Sequence, residues 1–253
     1  MISDDEELTE DRFLGGRLTL LQPKRGYRAG VDPVLLAAAI PAKAGESLLD
    51  LGCGVGIVAL CVAARVPGIR VTGLELLSQN TELARQNADL NGIAFEVFEG
   101  DVAKPPVKLR QQSFDHVVVN PPYFRREAGS KAADPHRDTA MGESAALPVW
   151  IDCALRRLRP KGCFSAIISA DRLPDMLFAL GARLGAQRVL PISGRVGRSA
   201  SRVIVSGRKD SRAPFQLLSH LVLHEGSDHE CDAEDYTKTA RAILREGAAL
   251  SLK

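Results

Sequence analysis

Residues 114–124 read Phe-Asp-His-Val-Val-Val-Asn-Pro-Pro-Tyr-Phe, and the organisation of the whole chain can be worked out from them. Val117, Val118 and Val119 are β-branched and follow one another without a polar break, a pattern typical of a strand buried in a parallel sheet. The strand should end at Asn120, because two prolines follow, which fix φ and remove two backbone donors.

The residues after this strand can hold a planar group that carries an NH₂. Asn120 offers an amide oxygen, and the carbonyl of Pro121 offers a second acceptor from a stiff backbone. Tyr123 offers a flat face on which a ring can stack. We therefore predict that Asn120, Pro121, Pro122 and Tyr123 are the catalytic residues. The alternative is a strand with an ordinary proline turn, which the nearby glycine loop disfavours.

Short apolar runs alternate with helical patterns on both sides of this stretch. Strands are predicted at 47–51, 69–75, 94–100, 114–120 and 163–170, and helices at 33–40, 57–65, 78–90, 148–158 and 173–184. Helical crossovers of this length imply parallel neighbours and a doubly wound sheet. The runs 188–192 and 201–206 are joined by a linker too short for a helix, so this last pair, which completes seven strands, should be antiparallel.

Three regions are predicted along the chain. Residues 1–46 would contain a frayed tail to about residue 12, one strand of a hairpin at 17–22 and a helix capped by Asp32. Residues 47–210 would form the sheet domain, with a mobile loop at 125–146. Residues 211–253 would be a C-terminal extension with a strand at 216–223 and a helix at about 233–245.

The composition is that of a soluble globular protein. Of 253 residues, 45% are hydrophobic and 25% are charged, and the net charge is +2. The five cysteines include no Cys-x-x-Cys pair, which favours reduced thiols in a cytoplasmic protein over disulfides or a zinc site. The acidic N-terminus is unlike a signal peptide, and no apolar run approaches the roughly 20 residues of a membrane span.

A glycine loop, Asp50 to Gly56, follows the first strand of the predicted sheet and opens a helix. Its missing Cβ atoms let the backbone approach a ligand. Glu75 ends the next strand, where a carboxylate can accept from both hydroxyls of a ribose. Asp101 follows the third strand, within reach of an adenine amine. Ile57 replaces the third glycine of the dinucleotide fingerprint, so the spacing favours a nucleoside without a pyrophosphate.

These features, with the motif at 120–123, resemble those of class I S-adenosylmethionine-dependent methyltransferases that act on amino groups of adenine, cytosine or glutamine. The segment Gln22-x-x-x-Gly26-Tyr27-Arg28-x-x-x-Asp32 is similar to one in the bacterial tRNA adenine-N6 methyltransferases that act on adenine 37 of valine tRNA. The resemblance covers about 22–206 and implies a Rossmann-like α/β fold with S-adenosyl-L-methionine as cofactor. The predicted cofactor-binding residues are Tyr27, Arg28, Asp32, Asp50, Gly52, Gly54, Gly56, Glu75, Leu76, Asp101, Val102 and Asn120.

The segment from Arg156 to Arg212 is strongly basic. It contains thirteen Lys and Arg residues against three aspartates, a local charge of +10. This asymmetry predicts binding of a polyanion. The substrate would be RNA, with tRNA favoured, and the target base would be flipped or unpaired.

The expected reaction is methyl transfer to an exocyclic amine, with N6 of adenine in tRNA favoured. Three alternatives stay open: methylation of a protein glutamine amide, a non-catalytic RNA-binding protein of the same fold, and, more distantly, an NAD-dependent dehydrogenase. No metal and no catalytic histidine are expected. His116 should be packed or lie at a sheet edge, and the cluster of His220, His224, His229 and Cys231 fits no zinc spacing. The oligomeric state does not follow from the sequence.

Overall fold

The computed structural model describes residues 8–24, 28, 30–121, 146–226 and 234–252. The strands are β1 (Leu8–Phe13), β2 (Leu18–Pro23), β3 (Ser47–Leu51), β4 (Arg70–Glu75), β5 (Phe95–Glu99), β6 (Phe114–Val119), β7 (Leu158–Ser169), β8 (Leu184–Ser193), β9 (Arg202–Lys209), β10 (Gln216–Leu217) and β11 (Leu221–Val222). The α-helices are α1 (Asp32–Ala39), α2 (Ile57–Arg65), α3 (Ser78–Leu90), α4 (Val107–Arg110), α5 (Leu147–Arg157), α6 (Leu173–Leu180) and α7 (Lys238–Glu246).

Among the described residues, nine strands form the central sheet in the order β5-β4-β3-β6-β7-β9-β8-β10, with β11 also beside β8. The five strands from β5 to β7 are parallel, and β9 runs antiparallel between β7 and β8. The predicted seven-stranded, mostly parallel sheet with its last strand antiparallel is confirmed. The two short strands β10 and β11 extend its edge where one strand was predicted at 216–223.

Strand β3 is buried over its whole length at the centre of this sheet. Successive side chains of a strand point to opposite faces, so Leu48 joins the hydrophobic cluster on one face while Leu49 and Leu51 join the other. Helices α1 and α2 contribute to the first cluster, and α5 and α6 contribute to the second. Both faces are thereby covered, as a parallel sheet requires.

An N-terminal hairpin packs against the first face through β2, where Leu18 and Leu20 are buried. Strand β1 pairs with β2 along its whole length, so the prediction of a frayed tail up to residue 12 is wrong for residues 8–12. The error has a physical cause: β1 is mostly polar, and pairing with β2 stabilises it rather than burial of its own side chains.

The start of α1 also differs from the prediction. Asp32 was expected to be the N-cap, but Val31 occupies that position and Asp32 is the first helical residue. The loop predicted at 125–146 lies, except for its last residue, outside the described part of the chain. None of the helices described is long and apolar enough to cross a bilayer.

Candidate active site

The parallel register places the ends of four neighbouring strands at one edge of the sheet. Leu51 is opposite both Leu74 and Val119, and Glu75 is opposite Glu99. The glycine loop after β3, Glu75 at the end of β4, Asp101 after β5 and the motif after β6 therefore meet at this carboxyl edge. In open α/β sheets, ligands bind outside the carboxyl ends of the strands.

The glycine loop is a tight turn in which Gly52, Gly54 and Gly56 all have positive φ. Gly52 has φ +66°, and its N–H donates to the carbonyl of Leu74 at 2.7 Å. A Cβ there would lie 2.5 Å from the ring of Trp150. Gly54 has φ +55° and would meet nothing within 4 Å, so it faces open space. Gly56, the N-cap of α2, completes the turn.

Glu75 fastens this turn to the end of β4. Its Oε2 accepts the N–H of Gly54 at 2.9 Å, and its Oε1 accepts the N–H of Leu77 at 3.0 Å and the amide of Asn80 at 3.5 Å. A carboxylate has about four acceptor positions and three are taken, so Oε2 keeps one for another donor, and Oε1 gains one if the long 3.5 Å contact with Asn80 is replaced. An anchored carboxylate beside an open glycine backbone fits the two hydroxyls of a ribose.

Asp50 lies beneath the turn and does not face the open edge. Its side chain is buried, and Oδ2 accepts the N–H of Ala59 at 3.3 Å, which ties β3 to α2. Burial, reinforced by the nearby charge of Glu75, raises the pKa of Asp50 to about 8. At neutral pH the carboxyl group is therefore mostly protonated, and its visible role is to support the turn.

Three more predicted cofactor residues flank the same opening. Leu76 is apolar yet 39% exposed, while Val102 is buried. The Oδ1 atom of Asp101 accepts the N–H of Ala103 at 2.8 Å. Within the described residues, Oδ2 of Asp101 accepts no hydrogen bond, so it can receive a donor such as an adenine amine. These side chains provide one apolar surface and one acceptor.

The predicted catalytic motif begins at this edge. Asn120 follows β6 directly and is half-buried, and Pro121 is buried. Because β6 pairs with β3, Asn120 lies next to the strand that leads into the glycine turn. Pro122 and Tyr123 lie outside the residues that the structure describes, as does Tyr27.

The two described residues of this segment that were predicted to bind the cofactor, Arg28 and Asp32, have different partners. The carboxylate of Asp32 accepts the Nε–H of Arg202 at 3.0 Å. Arg202 is opposite Ser169 at the end of β7, so this ion pair lies at the carboxyl edge. Arg28 instead donates to both oxygens of Asp11 on β1, at 3.0 and 2.7 Å, which directs it toward the hairpin.

The thirteen basic residues between 156 and 212 do not form one surface. Strand β7 runs toward the carboxyl edge and the antiparallel β9 runs back, so both ends of this segment lie at the amino edge and only its middle reaches the carboxyl edge. Those at the carboxyl edge are Arg172, Arg195, Arg198 and Arg202. Those near the amino edge are Arg156, Arg157, Arg159, Lys161, Arg183, Arg208, Lys209 and Arg212, and Arg188 lies within β8, opposite Ser206. The local charge of +10 therefore overstates the charge that faces the candidate site.

Two histidines, His116 and His224, take structural positions. His116 is buried at the amino edge, with Nε2 2.8 Å from Oε2 of Glu46. Burial would raise the pKa of Glu46, but hydrogen bonds from His116 and the N–H of Lys43 outweigh it, so the pKa lies below its usual value. His224 contacts Asp235 and stacks on Tyr236. His229 and Cys231 are outside the described residues, and no metal-binding group of three or more ligands occurs among those described.

Trp150 and Asn87 were missed by sequence reasoning. Trp150, on the first turn of α5, packs against the glycine turn at Gly52. The amide of Asn87 donates to the carbonyls of Leu21 and Val55, at 3.0 Å each, and so joins the hairpin to the glycine turn. In the sequence, Asn87 can be recognised only as a polar residue at a buried position of α3, and this does not identify the residues that it contacts.

Known proteins resemble this chain in sequence and structure. A family model described as methyltransferase small domain matches residues 29–141. A tRNA1(Val) (adenine(37)-N6)-methyltransferase from Porphyromonas gingivalis is 30% identical over 216 residues, which is 80% of this chain and 83% of the relative. A protein of the same name from Yersinia enterocolitica is 28% identical over 235 residues, 86% of this chain and 90% of the relative.

Two solved structures show the same architecture. A predicted O-methyltransferase from Agrobacterium tumefaciens aligns with a TM-score of 0.71 at 26% identity, over 87% of this chain and 98% of that protein. A Thermus thermophilus 16S rRNA N2 G1207 methyltransferase, in complex with AdoMet and guanosine, aligns with a TM-score of 0.56 at 20% identity, over 80% and 50% of the two chains. The second likeness concerns the fold alone.

Proposed function

Because this chain belongs to the family of the tRNA1(Val) (adenine(37)-N6)-methyltransferases, we propose that it methylates N6 of an adenine in tRNA. It is a class I methyltransferase with S-adenosyl-L-methionine as cofactor. The single observation that carries the proposal is the position of Asn120 at the end of β6, beside the strand that leads into the glycine turn. An amide acceptor there can hold the amine that receives the methyl group.

The chain's own residues provide a place for the cofactor, which supplies a methyl group already activated on a sulfonium. Gly54 presents open backbone, and the anchored carboxylate of Glu75 would accept from the ribose hydroxyls. Leu76 and Val102 would flank the adenine, and Asp101 would accept from its amine. The predicted contributions of Tyr27, Arg28 and Asp32 remain part of this proposal.

Asn120 and Pro121 would prepare the amine of the substrate. The lone pair of an adenine amine is delocalised into the ring, so this nitrogen is a poor nucleophile. Acceptance of its two hydrogens by the Asn120 amide oxygen and the Pro121 carbonyl would shift the nitrogen toward tetrahedral geometry and stabilise the positive charge that develops. Tyr123 would hold the ring plane. The proton becomes acidic as the new bond forms, so no general base is required.

A tRNA substrate is better supported than a protein glutamine. The described part of the region before the glycine turn forms a hairpin and α1 packed on the sheet, not a separate helical recognition domain. Arg198 is exposed and Arg195 and Arg202 are half-buried at the carboxyl edge, where an RNA backbone could bind. A target adenine would have to be flipped or unpaired to enter. We place this activity in the cytoplasm.

Labelled S-adenosylmethionine tests the function directly. The protein is incubated separately with unmodified tRNA, total protein and DNA, and the pool that takes up label is digested and analysed. We expect the label in tRNA as N6-methyladenosine. Label confined to glutamine in the protein pool would contradict the proposal, and so would no transfer to any pool by a preparation that binds the cofactor.

A further inference from the structure

A cavity of about 270 Å³ lies between the N-terminal hairpin, α1 and α7. Residues from both ends of the chain line it, including Phe13, Arg28, Tyr236 and Arg245. No residue of the glycine turn lines it, and neither do Glu75, Asp101 or Asn120. Of the described residues proposed for the cofactor only Arg28 lines the cavity, and its guanidinium pairs with Asp11 of the hairpin, so the cavity lies apart from the glycine turn.

The polar wall of this cavity is fixed by hydrogen bonds. Oδ2 of Asp11 accepts from Oγ1 of Thr9 at 3.1 Å, from Nε2 of Gln22 at 2.8 Å and from Nη2 of Arg28 at 2.7 Å. Gln22 is only 2% exposed, so its amide is held inside the protein. This wall is built before any ligand arrives, which lowers the entropy cost of binding.

The other walls combine aromatic rings with positive charge. The ring of Tyr236 is oriented by stacking on His224, with centroids 4.8 Å apart. Of the residues that the structure describes, three arginines line the cavity against a single aspartate, so this part of the lining is positive. Arg245 forms an ion pair with Glu234, whereas the exposed Arg12 has no hydrogen-bond or ion-pair partner among the described residues. Arginines beside aromatic rings are how proteins hold unpaired nucleotides.

The cavity also lies close to the candidate active site. Gly30 and Val31 line it and lead directly into Asp32, which binds Arg202 at the carboxyl edge. Val34, one turn further along α1, lines the cavity as well. The cavity and the Asp32–Arg202 ion pair thus both lie at the first turn of one helix, whose diameter with side chains is about 10–12 Å.

We propose that this cavity binds an unpaired nucleotide of the RNA, next to the methylated adenine in the same loop. This inference rests on the proposed function and adds a second contact for its substrate. The base would stack against Phe13 or Tyr236, and its phosphate would bind Arg12 or Arg245. The volume is slightly below the about 300–1,000 Å³ of typical small-molecule sites, which suits one nucleotide better than a larger ligand.

The first test compares two charge reversals on the full-length protein. Arg12→Glu changes the cavity, and Arg70→Glu changes an exposed arginine at the amino edge, at the start of β4. With unmodified tRNA1(Val) transcript, Arg12→Glu should raise KM for tRNA about tenfold or more, since phosphate and stacking contacts are lost. The kcat at saturating tRNA and the affinity for S-adenosylmethionine should stay unchanged, and Arg70→Glu should behave like the wild type.

The second test locates the nucleotide. An anticodon stem–loop carrying 5-iodouridine beside the target adenine is cross-linked by light, and the attached peptides are identified by mass spectrometry. Attachment at Phe13 or Tyr236 supports the proposal. Cross-links elsewhere, or equal tRNA KM values for Arg12→Glu and the wild type, overturn it while the proposed function stands. A wild-type protein that does not methylate tRNA at all overturns both.

Discussion

Glu75 and Gly54 are joined by a hydrogen bond of 2.9 Å, which fixes the backbone of the glycine turn to the end of the neighbouring strand. The same carboxylate also accepts the N–H of Leu77 at the start of the next helix. One side chain therefore organises the turn and presents acceptor oxygens beside the open face of Gly54. The shape of the glycine turn and the binding of a ligand at this edge therefore both depend on the buried carboxylate of Glu75.

Replacement of Glu75 should damage both properties. In Glu75→Ala the N–H groups of Gly54 and Leu77 lose their acceptor, which should cost about 1–3 kcal/mol of stability. The loss of hydrogen bonds to a charged acceptor should also weaken S-adenosylmethionine binding about tenfold or more. Denaturant unfolding and calorimetric titration measure the two effects. Glu99→Ala, opposite Glu75 on β5 and exposed, is the matched control. Unchanged cofactor affinity in Glu75→Ala would refute the ribose assignment.

Two glycines of the turn should respond differently to the same substitution. Gly54→Ala places its Cβ in open space, so the only cost to the free energy of unfolding should be that of an alanine in the left-handed conformation, about 1–2 kcal/mol. The added methyl group should nevertheless block cofactor binding. Gly52→Ala would also bring its Cβ to 2.5 Å from the ring of Trp150, at an added cost of about 1–3 kcal/mol. Thermal unfolding and cofactor titration of both variants check this. Equal stability of the two, or normal cofactor affinity in Gly54→Ala, would contradict it.

Asp50 should make stability depend on pH in a definite direction. Its pKa is raised from 3.8 to about 8, so between these values the folded protein holds a proton that the unfolded chain releases. The contribution of Asp50 to the free energy of unfolding is therefore fully present below pH 4 and is lost as the pH rises toward 8. Asp50→Asn cannot ionise, so its stability relative to the wild type should rise across this range and level off above it. Denaturant unfolding from pH 4 to 9 measures the difference.

The exposed Asp89→Asn on α3 is the control for this series. Its stability should follow that of the wild type at every pH. A constant difference between Asp50→Asn and the wild type from pH 4 to 9 would mean that Asp50 ionises normally in the folded protein.

The parallel part of the fold could be predicted because each strand carries its own signal. The valines at 117–119 and the glycine turn after β3 are local features, and the lengths between them require helical crossovers. The meeting of the turn, Glu75, Asp101 and Asn120 at one edge follows from topology, once the strands are known to be parallel. No side-chain contact had to be known for that prediction.

Features that depend on distant contacts could not be predicted. Strand β1 forms only because β2 is available as a partner, and β7 begins at Leu158, five residues earlier than predicted. Lys161 adopts a positive φ there, so Pro160 and Gly162 accompany an irregular strand start instead of a loop. The basic segment was misjudged for a similar reason, because charge counted along the chain ignores the reversal between β7 and β9.

Charge at the carboxyl edge should matter for RNA binding, and charge at the opposite edge should not. Arg198 lies in the loop between β8 and β9 and is exposed, so its charge is the one chosen for reversal at this edge. Arg198→Glu should reduce the slope of log affinity for tRNA against log salt by about 1 or more. Filter binding at several salt concentrations measures this slope.

Arg110→Glu, an exposed reversal on α4 before the amino end of β6, is the matched control. The slope for this variant should equal that of the wild type. If both variants reduce the slope equally, RNA binding does not distinguish the two edges of the sheet, and the assignment to the carboxyl edge fails.

Asn120 should separate catalysis from cofactor binding. In Asn120→Ala the amide oxygen that would accept from the substrate amine is lost, so kcat should fall about 100- to 1,000-fold. The affinity for S-adenosylmethionine should change little, because the glycine turn and Glu75 remain. Asn120→Asp keeps an acceptor oxygen at the same position and should recover part of the activity. Single-turnover methylation of tRNA with calorimetric titration of the cofactor distinguishes the outcomes. Turnover at the wild-type rate in Asn120→Ala, with normal folding, would show that another group holds the amine.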